Sequence, residues 1–205
     1  MGIYTEHLVP RLINFAMRGE QFQKLRRDLV GQARGQVLEV GIGSGLNLPH
    51  YGAAVDHVTG IDPSETGLVL AEQQAKISST QVELIQGSAE QIPLPDASFD
   101  SVVSTWTLCS VPSVEAVIAE IYRVLKPGGR FYFIEHGLAD DPTVVKWQGR
   151  LTPMMKACAG GCHLNRPIDK QIAASTFHLN QIETGYLLPG PRPFVHNFLG
   201  EAVKS

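Results

Sequence analysis

Short apolar runs and helical apolar stripes alternate along most of the chain. The runs have the length and composition of fully buried strands, and they lie at residues 37–40, 57–61, 82–85, 101–105 and 130–135. The strongest helical stripe lies between the last two runs and consists of Val114, Val117, Ile118, Ile121 and Leu125. Strands that alternate with helices predict a mostly parallel sheet with helices on both faces, which is the doubly wound α/β architecture.

Both ends of the chain depart from this alternation. Residues 177–187 and 194–204 have the pattern of two strands joined by a turn rich in proline and glycine, which predicts an antiparallel hairpin at the sheet edge.

Segment 1–34 has helical periodicity, with one apolar face from Val9 to Met17 and a second at Phe22, Leu25 and Leu29. We expect this segment to pack over the sheet and the substrate entrance. Its basic residues, Lys24, Arg26, Arg27 and Arg34, leave a membrane-contacting amphipathic surface as the alternative.

Composition adds few constraints. The chain has 205 residues, of which 43% are hydrophobic and 18% are charged, as in an ordinary globular domain. Its formal net charge of -3 gives no electrostatic reason to expect nucleic-acid binding. The three cysteines do not form the pattern of a disulfide framework, and no run of 18 apolar residues is present. These features predict a cytoplasmic protein without stable membrane insertion, although peripheral membrane contact stays open.

A glycine-rich turn follows the first predicted strand. Its sequence is E-x-G-x-G-x-G, with Glu39, Gly41, Gly43 and Gly45 at the fixed positions. The third glycine comes one residue earlier than in the dinucleotide fingerprint, so the turn suits a ligand without a pyrophosphate, and a nicotinamide oxidoreductase is disfavoured. The Glu39 carboxylate is expected near a positively charged ligand. Asp62 follows the second strand, where a carboxylate accepts hydrogen bonds from ribose hydroxyls in this architecture, although Asp-Pro-Ser is also a helix start.

Four motifs in this order resemble those of the class I S-adenosylmethionine-dependent methyltransferases. Besides the glycine turn and Asp62, they are G-S-A-E-Q-I-P at 87–93 and E-x-x-R-V-L-K-P-G-G-R at 120–130. The resemblance implies a Rossmann-like, seven-stranded sheet and S-adenosylmethionine as cofactor, with S-adenosylhomocysteine as product. The cofactor-binding residues that it implies are Glu39, Gly41, Gly43, Gly45, Asn47, Asp62, Pro63, Ser88, Ala89, Glu90, Thr105 and Leu108. Ser88 stands where the family commonly has Asp, and Glu90 has a solvated surface role as its alternative.

The acceptor site is expected beyond the fifth strand. We predict one domain over 1–205, with a helical segment at 1–34, a cofactor-binding core at 36–135, an acceptor-site insertion at 140–175 and a strand pair at 177–204. His136 ends the fifth strand, where it can act as a general base or as a positioning hydrogen bonder. His163 and Arg166 follow two glycines in the insertion and are expected to line or orient the substrate, with Trp147. Cys158, Cys162 and His163 lack the second ligand pair of a structural zinc site, so no metal is expected.

Further sequence details resemble the thiol S-methyltransferases and their short bacterial relatives. They include T-L-C-S-V-P-S-V at 107–114, I-E-H at 134–136 and G-C-H-L-N-R at 161–166. This resemblance implies methyl transfer to a small-molecule acceptor, with a thiol as the favoured acceptor. A nearby cation, such as Arg166 or protonated His163, would favour the thiolate. N- or C/O-methylation of a phospholipid amine or quinone precursor is the alternative, and a non-catalytic S-adenosylmethionine-binding module is the second. The oligomeric state is left open.

Overall fold

Residues 15–205 of the chain, described by a computed structural model, contain seven strands in a single sheet. The strands are β1 (Gly35–Val40), β2 (Val55–Asp62), β3 (Gln81–Gln86), β4 (Phe99–Thr105), β5 (Leu125–His136), β6 (His178–Tyr186) and β7 (His196–Val203). The α-helices longer than one turn are α1 (Glu20–Val30), α2 (Glu65–Ala75), α3 (Val114–Val124), α4 (Pro142–Cys158) and α5 (Ile168–Ala173). These elements follow the α/β alternation that the sequence predicts up to β5.

The sheet has the spatial order β3-β2-β1-β4-β5-β7-β6. Neighbouring strands from β3 to β5 are parallel, and β7 runs antiparallel between β5 and β6. The prediction of a doubly wound, mostly parallel sheet with an antiparallel C-terminal hairpin is therefore confirmed. The chain winds outward in opposite directions from β1 and β4, so the loops that follow these two strands diverge and leave a crevice at their carboxyl ends.

Side chains of the central strands point alternately to two apolar layers. On β1, Val37 packs in the layer that contains Leu29 and Val30 of α1, whereas Leu38 packs in the layer that contains the apolar stripe of α3. Both residues are fully buried. The continuous apolar composition of these strands is thus explained by helices on both faces of the sheet.

Some element boundaries differ from the predicted ones. β5 begins at Leu125 rather than near residue 130, because Leu125 pairs with Phe99 before a register shift in the β4–β5 ladder. α4 is longer than predicted and contains Pro153, and the sequence pattern does not indicate the short helix α5. The first predicted helix of segment 1–34 falls largely on residues 1–14, which lie outside the described part of the chain. Within residues 15–205, no helix combines the length and apolar character that crossing a membrane requires.

The start of α3 provides a test of local stability. The Ser113 hydroxyl accepts a hydrogen bond from the backbone N–H of Ala116, at 3.2 Å, and so caps the helix. Ser113→Ala should lower the free energy of unfolding by about 1 kcal/mol, because this N–H loses its partner. Urea unfolding followed by far-UV circular dichroism measures the change. Ser113→Thr, which keeps a hydroxyl, should lose less, and equal losses in the two variants would contradict the cap.

Candidate active site

A cavity of about 380 Å3 opens at the carboxyl ends of β1, β2 and β4. Its volume lies within the range of roughly 300–1,000 Å3 that is usual for small-molecule sites. The wall combines the glycine turn, the ends of the three strands, α1 and the loops after β3 and β4. The lining residues include Arg26, Glu39, Gly41, Gly43, Asn47, Asp62, Pro63, Ser88, Ala89, Thr105, Trp106, Thr107, Ser110, Val111, Pro112 and Gly160.

The three glycines of the turn have different surroundings. Gly41 has a φ of 70°. A Cβ there would lie 2.2 Å from the Thr107 hydroxyl oxygen, so the backbone of the glycine turn packs directly against a side chain of the loop after β4. Gly43 also has positive φ, but a Cβ there would meet only the Gly41 carbonyl oxygen, at 3.9 Å, on the cavity wall. Gly45 does not line the cavity, because it packs against Ala71 of α2. Of the three glycines, only Gly43 therefore leaves room for a ligand, whereas the missing side chain of Gly41 makes room for Thr107.

The Glu39 carboxylate is buried at the end of β1. It accepts hydrogen bonds from Asn47 Nδ2, at 2.9 Å, and from the Tyr51 hydroxyl, at 2.7 Å. Burial raises its pKa to about 7, and the bonds from Tyr51 and Asn47 and the nearby Arg26 charge oppose that rise. Asn47 Nδ2 also donates to the Thr105 hydroxyl, at 3.0 Å, so Asn47 joins the ends of β1 and β4.

Asp62 connects the ends of β1 and β2. One carboxylate oxygen accepts from the backbone N–H of Gly43, at 2.9 Å, and the other accepts from that of Ser64, at 2.8 Å. Burial raises the pKa of Asp62, and these two backbone bonds act in the opposite direction. Each oxygen keeps a further lone pair, so the carboxylate can both hold the glycine turn and accept from a ligand hydroxyl.

The loop after β3 contributes Ser88 and Ala89 to the cavity wall. Glu90 does not line the cavity, since its carboxylate accepts from the Ser113 backbone N–H, at 2.7 Å, and thereby ties this loop to the start of α3. Leu108, another residue that the family resemblance implies, is fully buried behind the wall. The structure thus brings most of the predicted cofactor residues to one cavity and gives Gly45, Glu90 and Leu108 supporting positions.

Trp106 has a strained backbone at the cavity. Its φ is 54°, which is rare for a bulky residue. Two hydrogen bonds hold this conformation: the backbone N–H donates to the Ile134 carbonyl, at 2.7 Å, and Nε1 donates to Asn197 Oδ1, at 2.8 Å. The indole ring contacts two residues of α1: the Phe22 ring, whose centroid is 5.3 Å away, and the Arg26 guanidinium, whose central carbon is 4.6 Å from the ring centre. Strain of this kind clusters at functional sites.

A second buried carboxylate shapes the loop after β4. Glu135 is fully buried and accepts from the Ser104 hydroxyl, at 2.7 Å, and from the backbone N–H groups of Thr107 and Cys109. Burial raises its pKa to about 7, and these hydrogen bonds limit the rise. Because several N–H groups converge on one carboxylate, residues 107–109 take a fixed shape under the cavity.

The three residues predicted to be catalytic lie together, behind the cavity wall. His136 is buried, with Nδ1 3.4 Å from the Cys162 sulfur. The backbone N–H of His163 donates to the Cys109 carbonyl, at 2.8 Å, and Arg166 Nη1 donates to the Leu108 carbonyl, at 2.5 Å. None of the three lines the cavity, so their catalytic role stays a prediction. Trp147, also expected near the substrate, is half exposed on α4.

Two free cysteines bring the loop after β4 into contact with the loop after α4. The sulfurs of Cys109 and Cys162 lie 3.6 Å apart, and both residues are buried. Interaction with the Cys109 thiol lowers the pKa of Cys162, and His136 acts in the same direction. Cys158, which precedes Cys162 by four residues in the sequence, is exposed. The sequence does not predict this contact, because the two cysteines are 53 residues apart.

Arg26 is a cavity residue that the sequence patterns did not indicate. Its sequence context groups it with the basic residues of segment 1–34, yet it is only 4% exposed and lines the cavity. A signal was present: Arg26 follows Phe22 by four residues and precedes Leu29 by three, so it falls on the apolar face of α1. A charged side chain on the buried face of a helix indicates a special role or partner.

Comparison with known proteins supports the family resemblance that the sequence motifs indicate. A family described as methyltransferase domain matches residues 38–133. The chain is 35% identical over 177 residues to thiol S-methyltransferase TMT1B of Rattus norvegicus, covering 82% of this chain and 70% of that protein. It is 31% identical to thiol S-methyltransferase TMT1A of Homo sapiens, covering 98% and 82%. A phosphatidylethanolamine N-methyltransferase of Cereibacter sphaeroides is 37% identical over 127 residues, covering 61% and 59%.

Solved structures share the fold. An S-adenosylmethionine-dependent methyltransferase from Methanosarcina mazei superposes with a TM-score of 0.66 at 24% identity, covering 84% of this chain and 93% of that one. At this identity the likeness concerns the fold alone. It supports the seven-stranded, Rossmann-like architecture.

Glu39 provides a test through the pH dependence of stability. The folded chain keeps the Glu39 proton up to about pH 7, whereas the unfolded chain releases it near pH 4.5. The free energy of unfolding therefore falls as pH rises through this window. In Glu39→Gln this fall should be smaller, by up to about 3 kcal/mol, because the neutral amide has no proton to release.

Urea unfolding at about pH 5, 6, 7 and 8, which spans this window, measures the difference. Glu65→Gln removes an exposed carboxylate and serves as the matched control for the chemical change. A pH dependence in Glu39→Gln that equals that of the original chain would show that burial does not perturb Glu39.

Proposed function

The chain belongs to the class I S-adenosylmethionine-dependent methyltransferases, and we propose that its acceptor is a small thiol. As a member of this family, it is an enzyme that uses S-adenosylmethionine and acts on a small-molecule substrate. When bound, the cofactor supplies an electrophilic methyl group on a sulfonium. The thiol assignment depends on how the cavity divides into a cofactor side and an acceptor side.

We assign the cofactor's adenosyl part to the side of the cavity formed by β2 and the loop after β3. Asp62 would accept from the ribose hydroxyls, beside Pro63, and Ser88 and Ala89 would border the adenine. Gly41 and Gly43 would lie against the remaining part, with Glu39 and Asn47 beneath it. The room at Gly43, and the buried Oδ1 of Asn47, which has no hydrogen-bond partner among residues 15–205, fit a ligand with a hydrogen-bond donor at this place.

The thiol assignment depends on the side chains that form the acceptor side of the cavity. Its wall, formed by residues 105–107, 110–112 and 160, has hydroxyl and apolar groups but no carboxylate, imidazole or amine. Among the described residues that line the whole cavity, the charged side chains are Arg26, Glu39 and Asp62. A thiol, with a pKa near 8.5, supplies its own nucleophilic anion close to neutral pH. Phenols and ammonium groups, with pKa values near 10, depend more on a base.

The proposed reaction is an in-line displacement. The thiolate sulfur forms a bond to the methyl carbon while the bond from that carbon to the sulfonium sulfur breaks, and the electron pair stays on the sulfur of S-adenosylhomocysteine. The products are a methyl thioether and S-adenosylhomocysteine, and the thiol proton goes to solvent. The protein contributes orientation and the exclusion of water by Trp106, Val111 and Pro112.

We propose indirect roles for the three residues behind the wall. Arg166 fixes the Leu108 carbonyl and places a positive charge near the acceptor side, which favours the thiolate over the thiol. His163 holds the Cys109 carbonyl through its backbone, and His136 borders the Cys162 sulfur. In these positions they would shape the loop after β4 rather than remove the acceptor's proton.

Methyl transfer from labelled S-adenosylmethionine to a panel of acceptors tests the thiol assignment. The panel contains hydrogen sulfide, an alkyl thiol, an aromatic thiol, a quinol and an ethanolamine lipid. We expect turnover with thiols, and kcat/KM should rise with pH around the pKa of each free thiol, because the acceptor ionises without a base from the protein. Thiols of different pKa should therefore give different midpoints.

Other outcomes discriminate the alternatives. Turnover only with the lipid would favour the reaction named for the Cereibacter sphaeroides relative, and turnover only with the quinol would favour a quinone-precursor methylase. The same midpoint for thiols of different pKa would indicate a base on the enzyme, with His136 the first residue to replace. Cofactor binding without transfer to any acceptor would favour a non-catalytic module.

The ribose assignment of Asp62 has its own test. Asp62→Asn should weaken S-adenosylhomocysteine binding by about 10-fold to 100-fold, since a hydrogen bond to a charged group contributes about 1.5–3 kcal/mol. Isothermal titration calorimetry measures the dissociation constant. Asp56→Asn, at the exposed start of the same strand, is the matched control. Unchanged affinity in Asp62→Asn would remove Asp62 from the binding site.

A further inference from the structure

The three cysteines of the chain differ in their surroundings. Cys158 is exposed at the end of α4, whereas Cys162 is 8% exposed and Cys109 is 2% exposed. The sulfurs of Cys109 and Cys162 lie 3.6 Å apart, although one residue belongs to the loop after β4 and the other to the loop after α4. Because the S–S bond of a disulfide is about 2.05 Å long, an approach of roughly 1.5 Å would bring the two sulfurs to bonding distance.

The two buried thiols differ in reactivity. Hydrogen bonding with Cys109 lowers the pKa of Cys162 to about 5, and His136, whose Nδ1 lies 3.4 Å from the Cys162 sulfur, acts in the same direction. The same hydrogen bond, together with burial, raises the pKa of Cys109. The thiolate is the nucleophilic form of cysteine, so Cys162 is the more reactive of the pair as well as the more accessible.

The two loops differ in how far they can move. The loop after β4 is held in place, because the Glu135 carboxylate accepts hydrogen bonds from the backbone N–H groups of Thr107 and Cys109. The segment that carries Cys162 instead contains two glycines with positive φ, 61° at Gly160 and 88° at Gly161. Glycine gives a backbone more conformational freedom. A movement that joins the two sulfurs therefore falls mainly on residues 159–162.

Both loops also form part of the cavity wall. Ser110, which follows Cys109, and Gly160, which precedes Cys162 by two residues, line the side of the cavity that we assign to the acceptor. Gly161 packs so closely on this wall that a Cβ there would lie 3.0 Å from the Ser110 carbonyl oxygen. A shift of Cys162 toward Cys109 therefore displaces Gly160 and changes the shape of the acceptor side.

We propose that Cys109 and Cys162 are an oxidation site: a hydroperoxide oxidises Cys162, the pair closes to a disulfide, and the new bond reshapes the acceptor side of the cavity. The site does not depend on the identity of the methyl acceptor. It gives a role to a buried nucleophile that the proposed displacement reaction does not use.

The oxidation proceeds in two steps. With hydrogen peroxide, the Cys162 sulfur first forms a bond to one peroxide oxygen while the O–O bond breaks, and the other oxygen leaves as water after taking up a proton. Cys162 is then a sulfenic acid. The Cys109 sulfur next forms a bond to the Cys162 sulfur while the S–O bond breaks, and the hydroxyl leaves as water with the Cys109 proton. Two molecules of a small thiol reverse the change, because they reduce the disulfide and become a disulfide themselves.

Disulfide mapping of the full chain tests the site without any methyl transfer. The chain is treated with an equimolar amount of hydrogen peroxide, the remaining thiols are blocked with iodoacetamide, and the peptides are identified by mass spectrometry. We expect a peptide pair that links Cys109 to Cys162, which dithiothreitol should remove. Cys158→Ser, at the exposed cysteine, is the matched control and should form the same bond. The proposal is overturned if peroxide oxidises Cys158 while both buried thiols stay free, or if Cys162 pairs with Cys158 instead.

Two variants test the order of the steps. In Cys109→Ser the second thiol is missing, so the sulfenic acid of Cys162 should accumulate and should be captured by dimedone. In Cys162→Ser no sulfenic acid should be captured at Cys109. Equal capture at the two positions would contradict the assignment of Cys162 as the residue that reacts with peroxide. The disulfide mapping uses the original chain and so does not depend on the folding of either variant.

Initial rates of methyl transfer measure the effect of the disulfide on the cavity. After removal of peroxide, the oxidised chain should start about 10-fold to 100-fold more slowly than the reduced chain, since a misplacement of about 1 Å can cost about 100-fold in rate. With a thiol acceptor the rate should then rise, because the acceptor reduces the disulfide. Cys162→Ser, treated in the same way, should start at its own untreated rate.

An initial rate that a completely formed disulfide leaves unchanged would overturn the effect on the cavity. Failure of the proposed function is a different result: the reduced, untreated chain would then transfer no methyl group to any acceptor of the panel. In that case the disulfide mapping by itself confirms or overturns the oxidation site.

Discussion

Buried and partly buried carboxylates at the carboxyl edge of the parallel sheet hold the loops that form the cavity. Glu39, Asp62 and Glu135 lie at the ends of β1, β2 and β5, and each accepts hydrogen bonds from the loop or strand beside it. Strand ends can be buried at this edge only if the N–H groups and side-chain donors of the following loops find acceptors. A carboxylate offers several lone pairs at one point, so each of the three fixes more than one loop position.

Burying these carboxylates costs free energy, and this cost explains the raised pKa values at the site. Burial raises the pKa of both Glu39 and Glu135 to about 7, so the charged forms are disfavoured even though they are hydrogen-bonded. Arg26 adds a buried positive charge near Glu39, and two of its nitrogens have no hydrogen bond within the part of the chain that the structure describes. Polar groups that are incompletely satisfied in the protein are typical of binding sites, where the ligand completes the network and stability is given up for affinity.

The sequence predicts the strands of the sheet well, because the patterns that define them involve residues that are close together in the chain. Fully buried strands and the stripe of α3 are visible in the spacing of apolar residues, and the glycine turn and Asp62 have motifs of fixed spacing. The boundary of β5 was less predictable, since Leu125 belongs to the helical stripe by spacing but pairs with Phe99 in the sheet. Long-range contacts were not predictable. The distance between Cys109 and Cys162, the place of Arg26 beside Trp106, and the position of His136 behind the wall all depend on how distant loops pack.

The conformation of Trp106 has a consequence for how the protein can be observed. The chain has two tryptophans. Trp147 is half exposed on α4, whereas Trp106 lies in the cavity wall with the Arg26 guanidinium 4.6 Å from its ring centre. The ultraviolet emission of the protein therefore divides into a solvent-exposed component and one that originates at the site itself. A ligand that changes the contact between Arg26 and the indole alters only the second component. The strained residue is thus an intrinsic optical reporter of site occupancy, present without any label.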